Sequence, residues 1–331
     1  MHSRKLGPFT VSALGLGAMN ISGGYGPRLK DEDGQQILKE ALDCGYDFID
    51  TASVYGMGHN EEQVGKALAD RRSEYTLASK CGISRNSEGQ TVSNGRPEVL
   101  TKTCEESLKR LNTDVIDIYY LHRIDANVPV EESVGALSRL VEQGKIRTIG
   151  LSEISSDSLQ RAHATHPITA VQSEYSLWSR TPERKILETC RNLGIAFVAF
   201  SPLGRQFLTG KSTDCSRLDD SNMRSTIARP RFESENFKAN SKLLIPFAEI
   251  AKQHNITMAQ LSLAWLLAKG DDIIPIPGTS DLQHLKENAA AGDIKLSNET
   301  VLELDEIIND KLVSGERYND FLMSTIDSER D

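Results

Sequence analysis

Four side chains that can carry charge or move a proton stand at or just after the ends of apolar segments. Asp50, Lys80 and His122 each end such a segment, and Tyr55 follows Asp50 in a loop beside a glycine. Burying a charged side chain at the end of an apolar strand is costly unless it finds a partner. Repeated strand–helix units place such strand ends on one face, so we expect these four side chains to meet in one cleft.

The sequence around these residues resembles the aldo-keto reductase superfamily. Residues 45–56 read GYDFIDTASVYG, residues 144–152 read GKIRTIGLS and residues 200–204 read FSPLG. The motifs match in order and spacing over nearly the whole chain. YYLHR at 119–123 and RPRF at 229–232 resemble the bacterial, plant and fungal branches. The resemblance implies a (β/α)8 TIM barrel and nicotinamide-dependent reduction of aldehydes or ketones to alcohols.

The resemblance also implies a catalytic tetrad of Asp50, Tyr55, Lys80 and His122. Carbonyl reduction requires a proton for the oxygen, which Tyr55 would donate within hydrogen-bond reach. The ammonium of Lys80, at roughly 4 Å and in an effective dielectric of about 20, would attract the Tyr55 phenolate by about 4 kcal/mol. That attraction would lower the pKa of Tyr55 by roughly three units, and desolvation of the phenolate would offset part of the effect. Asp50 would hold Lys80, and His122 would orient the carbonyl oxygen.

Each tetrad residue also has an ordinary structural interpretation. Asp50 and Lys80 alone are typical of a structural ion pair, His122 of a buried histidine with satisfied hydrogen bonds, and Tyr55 of a loop aromatic. Their joint occurrence at successive strand ends, in the order of the family, favours catalysis.

The resemblance implies NADP as cofactor, with NAD as the alternative. Ser152 and Gln172 would bond the nicotinamide carboxamide, and Phe200 would stack on its ring. Glu153 stands where many relatives carry Asn, and a carboxylate cannot donate to the carboxamide. The predicted cofactor contacts are Ser152, Gln172, Phe200, Ser201, Leu203, Gly204, Arg205, Gly278, Thr279, Ser280, His284, Glu287 and Asn288.

The predicted phosphate end of this site lacks the usual cations. Thr279 and Ser280 precede a helix whose N–H groups suit a phosphate, although simple helix capping explains them equally well. Asp281 stands where relatives often carry a basic residue, and His284 where they often carry arginine. We therefore expect NADP(H) to be preferred, with weak discrimination against NAD(H) and a stronger preference at acid pH, where His284 gains charge.

The substrate would be a small carbonyl compound, and its pocket is the least predictable part. Residues 203–234 are polar without a clear period, and residues 311–331 form a polar tail. The candidate pocket residues are Met19, Tyr25, Arg123, Trp178, Tyr318 and Phe321.

Alternating strands and helices predict one (β/α)8 domain over residues 1–331, because that pattern closes a parallel sheet through right-handed crossovers. Gly15 to Gly17 do not form a dinucleotide fingerprint, since the third glycine is missing. The predicted helices are 31–44, 60–69, 97–111, 131–143, 155–164, 181–193, 236–254, 257–269, 281–290 and 297–309. Asn60 is the candidate N-cap of the second of them.

Composition narrows the function classes further. The net charge of −9 argues against nucleic-acid binding. Five cysteines without a C-x-x-C motif indicate reduced thiols and a cytoplasmic location. We expect no signal peptide and no membrane span. We also expect no metal site, because the candidate ligands His163 and His166 have no acidic residue nearby. The sequence does not indicate an oligomeric state.

Two other functions remain open. Some relatives keep the fold and the cofactor but act as regulatory channel subunits. One site also serves both directions of the reaction, so oxidation of sugars or alcohols is a second enzymatic option. The complete tetrad favours an enzyme.

Overall fold

A sheet of eight parallel strands forms the centre of the computed structural model, which describes residues 1–85 and 91–331. Two small antiparallel hairpins accompany this sheet within those ranges. The strands are β1 (Ser3–Leu6), β2 (Phe9–Ser12), β3 (Leu16–Gly17), β4 (Phe48–Asp50), β5 (Thr76–Cys81), β6 (Ile83–Arg85), β7 (Thr91–Ser93), β8 (Ile116–Leu121), β9 (Ile146–Ser152), β10 (Ile168–Glu174), β11 (Ala196–Phe200) and β12 (Ile273–Pro275).

The sheet closes into a barrel. Its strands pair in the order β3, β4, β5, β8, β9, β10, β11 and β12. The two outer strands meet through backbone hydrogen bonds, from the Gly15 N–H to the Pro275 carbonyl at 3.0 Å and from the Gly17 N–H to the Pro277 carbonyl at 3.3 Å. All carboxyl ends therefore lie on one face, and the predicted (β/α)8 fold is confirmed.

Helices cover the outside of the barrel, because each parallel pairing needs a crossover connection. The α-helices in the described ranges are α1 (Asp31–Asp43), α2 (His59–Leu68), α3 (Pro97–Arg110), α4 (Val130–Glu142), α5 (Ser156–Thr165), α6 (Ile186–Leu193), α7 (Arg229–Phe232), α8 (Ser234–Ser241), α9 (Leu244–Gln253), α10 (Met258–Ala268), α11 (Leu282–Ala290), α12 (Asn298–Ile307) and α13 (Asp320–Thr325). None of them is long and apolar enough to cross a bilayer.

The hydrophobic core has two layers. Helix α1 shows the outer one, because its predicted stripe of Ile37, Leu38, Ala41 and Leu42 is buried against the sheet. The inner layer fills the barrel and includes Phe48. The hairpin of β1 and β2, which the sequence did not reveal, adds the apolar side chains of Leu6, Phe9 and Val11 to this inner cluster, and so covers the end of the barrel opposite the strand carboxyl ends.

Three predicted segments differ from the structure. Residues 181–193 divide into a 3-10 turn, Thr181–Glu183, and helix α6, because Lys185 leaves the helical conformation at φ −150°. Residues 236–254 divide into α8 and α9. The predicted long loop 203–234 contains two 3-10 turns and the short helix α7.

Candidate active site

Asp50 and Lys80 form a buried ion pair at the carboxyl ends of β4 and β5. The Lys80 ammonium is 0% exposed; it donates to Asp50 Oδ1 and, at 2.8 Å, to the Thr51 carbonyl. The second Asp50 oxygen accepts from Gln172 Nε2 at 2.8 Å. Both charges thus have close partners, which offsets the cost of taking them out of water.

Tyr55 and His122 complete the group. Tyr55 begins a 3-10 turn that passes through left-handed backbone at Gly56 and Met57, so the local fold fixes the direction of its ring. Its hydroxyl accepts from Lys80 Nζ at 3.5 Å, and Nζ lies 5.1 Å from the ring centroid. The His122 ring meets the Tyr55 ring edge-on with centroids 5.9 Å apart. The structure therefore brings the four side chains of the predicted tetrad together.

Electrostatics fix the protonation state of this group. Burial raises the pKa of Tyr55; the charge of Lys80 opposes this and Asp50 adds to it, and the net pKa lies above the ordinary value. The sequence led us to expect that Lys80 lowers the Tyr55 pKa by more than desolvation raises it, and that expectation is wrong. Burial lowers the pKa of Lys80, but Asp50 and Tyr55 outweigh it and leave a raised value. Burial, with the charges of Arg123 and Lys80, holds the pKa of His122 well below its usual range. At neutral pH the site has a protonated phenol, an ammonium and a neutral imidazole.

Asn60 holds the Tyr55 turn in place. The sequence suggests it as the N-cap of the second helix, but the N-cap position belongs to Gly58 and Asn60 lies inside α2, fully buried. Its amide donates to the Ala18 carbonyl at 2.9 Å, and its side-chain oxygen accepts from the Thr51 hydroxyl at 2.6 Å. One side chain thus ties the end of β4 to the loop after β3.

The group opens into a cleft of about 1100 Å³ at the carboxyl face of the barrel. Apart from Gly204, every predicted cofactor residue lines this cleft. Ser152 and Gln172 stand side by side, because β9 and β10 pair at these two positions. Gly204 lies behind the wall, where a Cβ atom would approach Trp178 to 3.0 Å.

The segment after β11 crosses the cleft. Its backbone is left-handed at Ser201, Gly204 and Arg205 (φ 49°, 55° and 53°), which turns the chain sharply over the opening. Further along, the Met223 N–H donates to the Gly24 carbonyl at 2.9 Å and bridges the two sides. The Arg205 side chain is buried and bonds Glu174 at 2.5 Å. Its charge is therefore neutralised within the protein.

Helix α11 begins beside the cleft, which Thr279, Ser280 and His284 line. Its N-cap is Asp281, whose carboxylate accepts from the Gln283 N–H at 2.7 Å and the His284 N–H at 3.0 Å. The Thr279 hydroxyl bonds the Asp281 backbone, accepting from its N–H at 3.0 Å. The N–H groups of Gln283 and His284, which were expected to suit a phosphate, are thus already engaged.

Two cations in this cleft were missed by sequence reasoning. Lys211 lines the cleft, and its charge helps to lower the pKa of Asp281, after the hydrogen bond from the His284 backbone as the main cause. Arg224 also lines it, is 6% exposed, and has no carboxylate within 4.0 Å in residues 1–85 and 91–331. Both lie in the irregular segment 203–234, which gave no periodic signal.

Five of the six candidate pocket residues line the cleft. These are Met19, Tyr25, Arg123, Tyr318 and Phe321. Trp178 is the exception: it is 1% exposed and stacks on Phe207 with centroids 3.9 Å apart. The prediction for Trp178 is wrong, because a large aromatic side chain after a strand suits a core position as well as a pocket.

A buried ion-pair network, the Glu153–Arg317 latch, fastens the C-terminal segment to the barrel. Arg317 Nη1 donates to Glu153 Oε1 at 3.1 Å, Nη2 bonds the other oxygen, and the Ser328 hydroxyl donates to Glu153 at 2.6 Å. Tyr318 lies between two guanidinium groups, with Arg205 Cζ at 4.6 Å and Arg317 Cζ at 5.0 Å from its ring centroid. Glu153 therefore serves the tail, and its carboxylate is not free for a carboxamide.

A closed (β/α)8 barrel with ionisable groups at its carboxyl face has the layout of a barrel enzyme. The profile of the Aldo/keto reductase family matches residues 13–309. Probable aldo-keto reductase 1 of Glycine max is 45% identical over 311 residues, covering 94% of this chain and 89% of the relative. The aldo-keto reductase yakc [NADP(+)] of Schizosaccharomyces pombe is 44% identical over 322 residues, covering 96% and 94%. The solved structure of a glycerol dehydrogenase from Gluconobacter oxydans is 28% identical with a TM-score of 0.84, covering 92% and 94%. The chain belongs to the aldo/keto reductase family, and the predicted resemblance is confirmed.

Proposed function

We propose that this protein reduces aldehydes or ketones to alcohols with NADPH, and that Tyr55 donates the proton. The observation that carries this is the joint geometry of Asp50, Tyr55, Lys80 and His122 at the mouth of the barrel. NADPH supplies the hydride. The raised pKa of Tyr55 keeps its proton available at neutral pH, and the neutral His122 can donate a hydrogen bond to the carbonyl oxygen.

The cleft suits an anionic dinucleotide. Arg224 is a buried cation whose donors are met only in part, by the side-chain oxygens of Asn222 at 3.0 Å and Gln206 at 2.7 Å. A phosphate would supply the missing counter-charge. We assign the nicotinamide to Ser152 and Gln172 and the phosphates to the end with Arg224, with Lys211 and Ser280 beside the 2′-phosphate. The NADP(+) in the name of the yeast relative supports this choice.

The oxidative direction is the second candidate, and the glycerol dehydrogenase among the structural relatives favours keeping it. A cofactor-binding regulatory role is less well supported, because a sensor of cofactor does not need the Tyr55–Lys80 contact at 3.5 Å. A cytoplasmic location stays a prediction from the odd number of cysteines.

The test compares Tyr55→Phe with Tyr75→Phe in NADPH consumption with a panel of aldehydes. Tyr75 is buried and directly precedes β5, at the end of the barrel away from the cleft, so its variant controls for the loss of a tyrosine hydroxyl. We expect Tyr55→Phe to lower kcat at least about 100-fold, in line with general acid catalysis, with NADPH affinity nearly unchanged. Wild-type turnover in Tyr55→Phe would remove Tyr55 from the role of acid.

A further inference from the structure

Arg123 adds a positive charge beside the catalytic group that the tetrad does not use. It follows His122 directly and lines the cleft. Its Nη1 donates to the His122 carbonyl at 2.6 Å and to the Ser152 hydroxyl at 3.2 Å. The remaining donors, on Nε and Nη2, have no protein acceptor among the described residues. A guanidinium has five N–H donors in a planar fork, so part of this fork remains for a ligand.

No carboxylate of the described chain lies within 4.0 Å of the Arg123 guanidinium. The acidic groups around it are engaged elsewhere. Asp50 belongs to the tetrad, Glu153 is bound by the latch, and Asp125 accepts from the Gly95 N–H at 3.0 Å. The ion pairs of the tetrad and the latch contain their own cations, and none of these carboxylates is in direct contact with the Arg123 guanidinium.

The cofactor phosphates do not supply the missing charge. They are assigned to Lys211 and Arg224, which make no contact with Arg123 among the described residues. The end occupied by Ser152 and Gln172 meets the nicotinamide, which carries no negative charge. An anion bound at Arg123 would therefore come from the substrate.

We propose that the preferred carbonyl substrate carries a carboxylate, which Arg123 binds while Tyr55 and His122 hold the carbonyl oxygen. This rests on the proposed function and deepens it, because it names 2-oxo acids and aldehyde acids as the substrate class. A guanidinium binds a carboxylate through two parallel hydrogen bonds, which fixes orientation as well as charge. The carbonyl carbon gains hydride from NADPH, the oxygen gains the Tyr55 proton, and the carboxylate keeps all its bonds.

The test uses two pairs of substrates that differ in a carboxylate. Pyruvate is compared with acetone, and succinic semialdehyde with butanal, at saturating NADPH. Wild-type protein should show a higher kcat/KM for the acid in at least one pair, and the pair that responds tells how far the carboxylate lies from the carbonyl. Arg123→Gln should lower the acid-to-neutral ratio in that pair about 10- to 100-fold, the usual range for a hydrogen bond to a charged group. Arg123→Lys should restore part of the ratio.

The ratio separates specificity from general damage, because loss of the Ser152 contact would affect both members of a pair equally. Arg330→Gln is the matched control: Arg330 also lines the cleft, but it already pairs with Asp327 at 3.2 Å, so the ratio should stay unchanged. Equal kcat/KM for the acid and the neutral substrate in the wild type, or an equal loss for both in Arg123→Gln, overturns this inference. The proposed function still stands in that case if neutral aldehydes are reduced and the reduction depends on Tyr55. Absence of turnover on every substrate overturns both.

Discussion

Breaking the Glu153–Arg317 latch should destabilise the protein and loosen the wall of the cleft. Arg317→Met leaves Glu153 fully buried without its cation, a change that typically costs about 3–5 kcal/mol. The pKa of Glu153 gives a second measure: burial raises it, but Arg317 outweighs this and lowers it from 4.5 to about 2. That difference corresponds to about 3 kcal/mol of preferential binding of the charged form.

The sign of the pH dependence follows from the lowered pKa. Its stabilisation is present above the ordinary glutamate pKa and is lost as pH falls towards the folded value of about 2. The difference in unfolding free energy between wild type and Arg317→Met should therefore shrink between about pH 4.5 and pH 2. Glu153→Gln combined with Arg317→Met should recover part of the loss, because no buried charge is then left unpaired.

The assay is urea unfolding of the single and double variants, with kinetics on an aldehyde in parallel. Arg161→Met is the matched control, since Arg161 forms an exposed pair with Glu131 at 2.8 Å and should cost less than about 1 kcal/mol. KM should rise more than kcat falls in Arg317→Met, because Phe321 and Leu322 after the latch line the cleft. An Arg317→Met loss no larger than that of Arg161→Met, with an unchanged KM, would refute this reasoning.

Three further predictions concern the catalytic group and the cofactor. Lys80→Met should abolish most activity and raise the pH at which residual oxidation begins, because the charge of Lys80 lowers the pKa of Tyr55. A pH–rate profile equal to that of the wild type would show that Lys80 has only a structural role. Asn60→Ala should lower the unfolding free energy by about 1–3 kcal/mol in urea melts and reduce kcat, because the Ala18 carbonyl and the Thr51 hydroxyl lose their buried hydrogen-bond partner. An unchanged unfolding free energy and an unchanged kcat would contradict the proposed support of the Tyr55 turn. Asp281→Asn keeps the helix cap but removes a negative charge beside the assigned 2′-phosphate, and Asp281→Lys adds a positive charge there. The preference for NADPH over NADH should therefore rise from wild type to Asp281→Asn to Asp281→Lys, measured by fluorescence titration at two pH values. Tighter binding of NADH by all three proteins would show that the phosphate site is misplaced.

The tetrad could be found from sequence because Asp50, Lys80 and His122 stand at strand ends and Tyr55 follows Asp50 in a short loop. Closing the barrel brings strand ends together whatever the loops do, so strand order alone placed Asp50, Lys80 and His122 in one cleft. The same reasoning failed for Asn60: polar residues at a helix start usually cap it, and only the fold shows that this one points inward.

The latch and the unpaired cations could not be predicted in the same way. Glu153 and Arg317 are 164 positions apart, and no local pattern connects them. Lys211 and Arg224 lie in a segment without periodicity, where a charged residue indicates only exposure. Their partners depend on how the segment crosses the cleft, which is set by left-handed backbone at Arg205 and nearby positions rather than by side-chain spacing.

The protonation state of the catalytic group is matched to reduction. A donor must hold its proton until the carbonyl oxygen gains negative charge, and the raised pKa of Tyr55 ensures this at neutral pH. In the oxidative direction Tyr55 would first have to lose that proton, and burial makes the phenolate costly despite Lys80. The same residues can serve both directions, but at neutral pH only reduction begins from the protonation state that the fold already stabilises. An anionic substrate beside Arg123 would raise the Tyr55 pKa further, because it cancels a charge that lowers it, and so would favour the donor form at the moment of reaction.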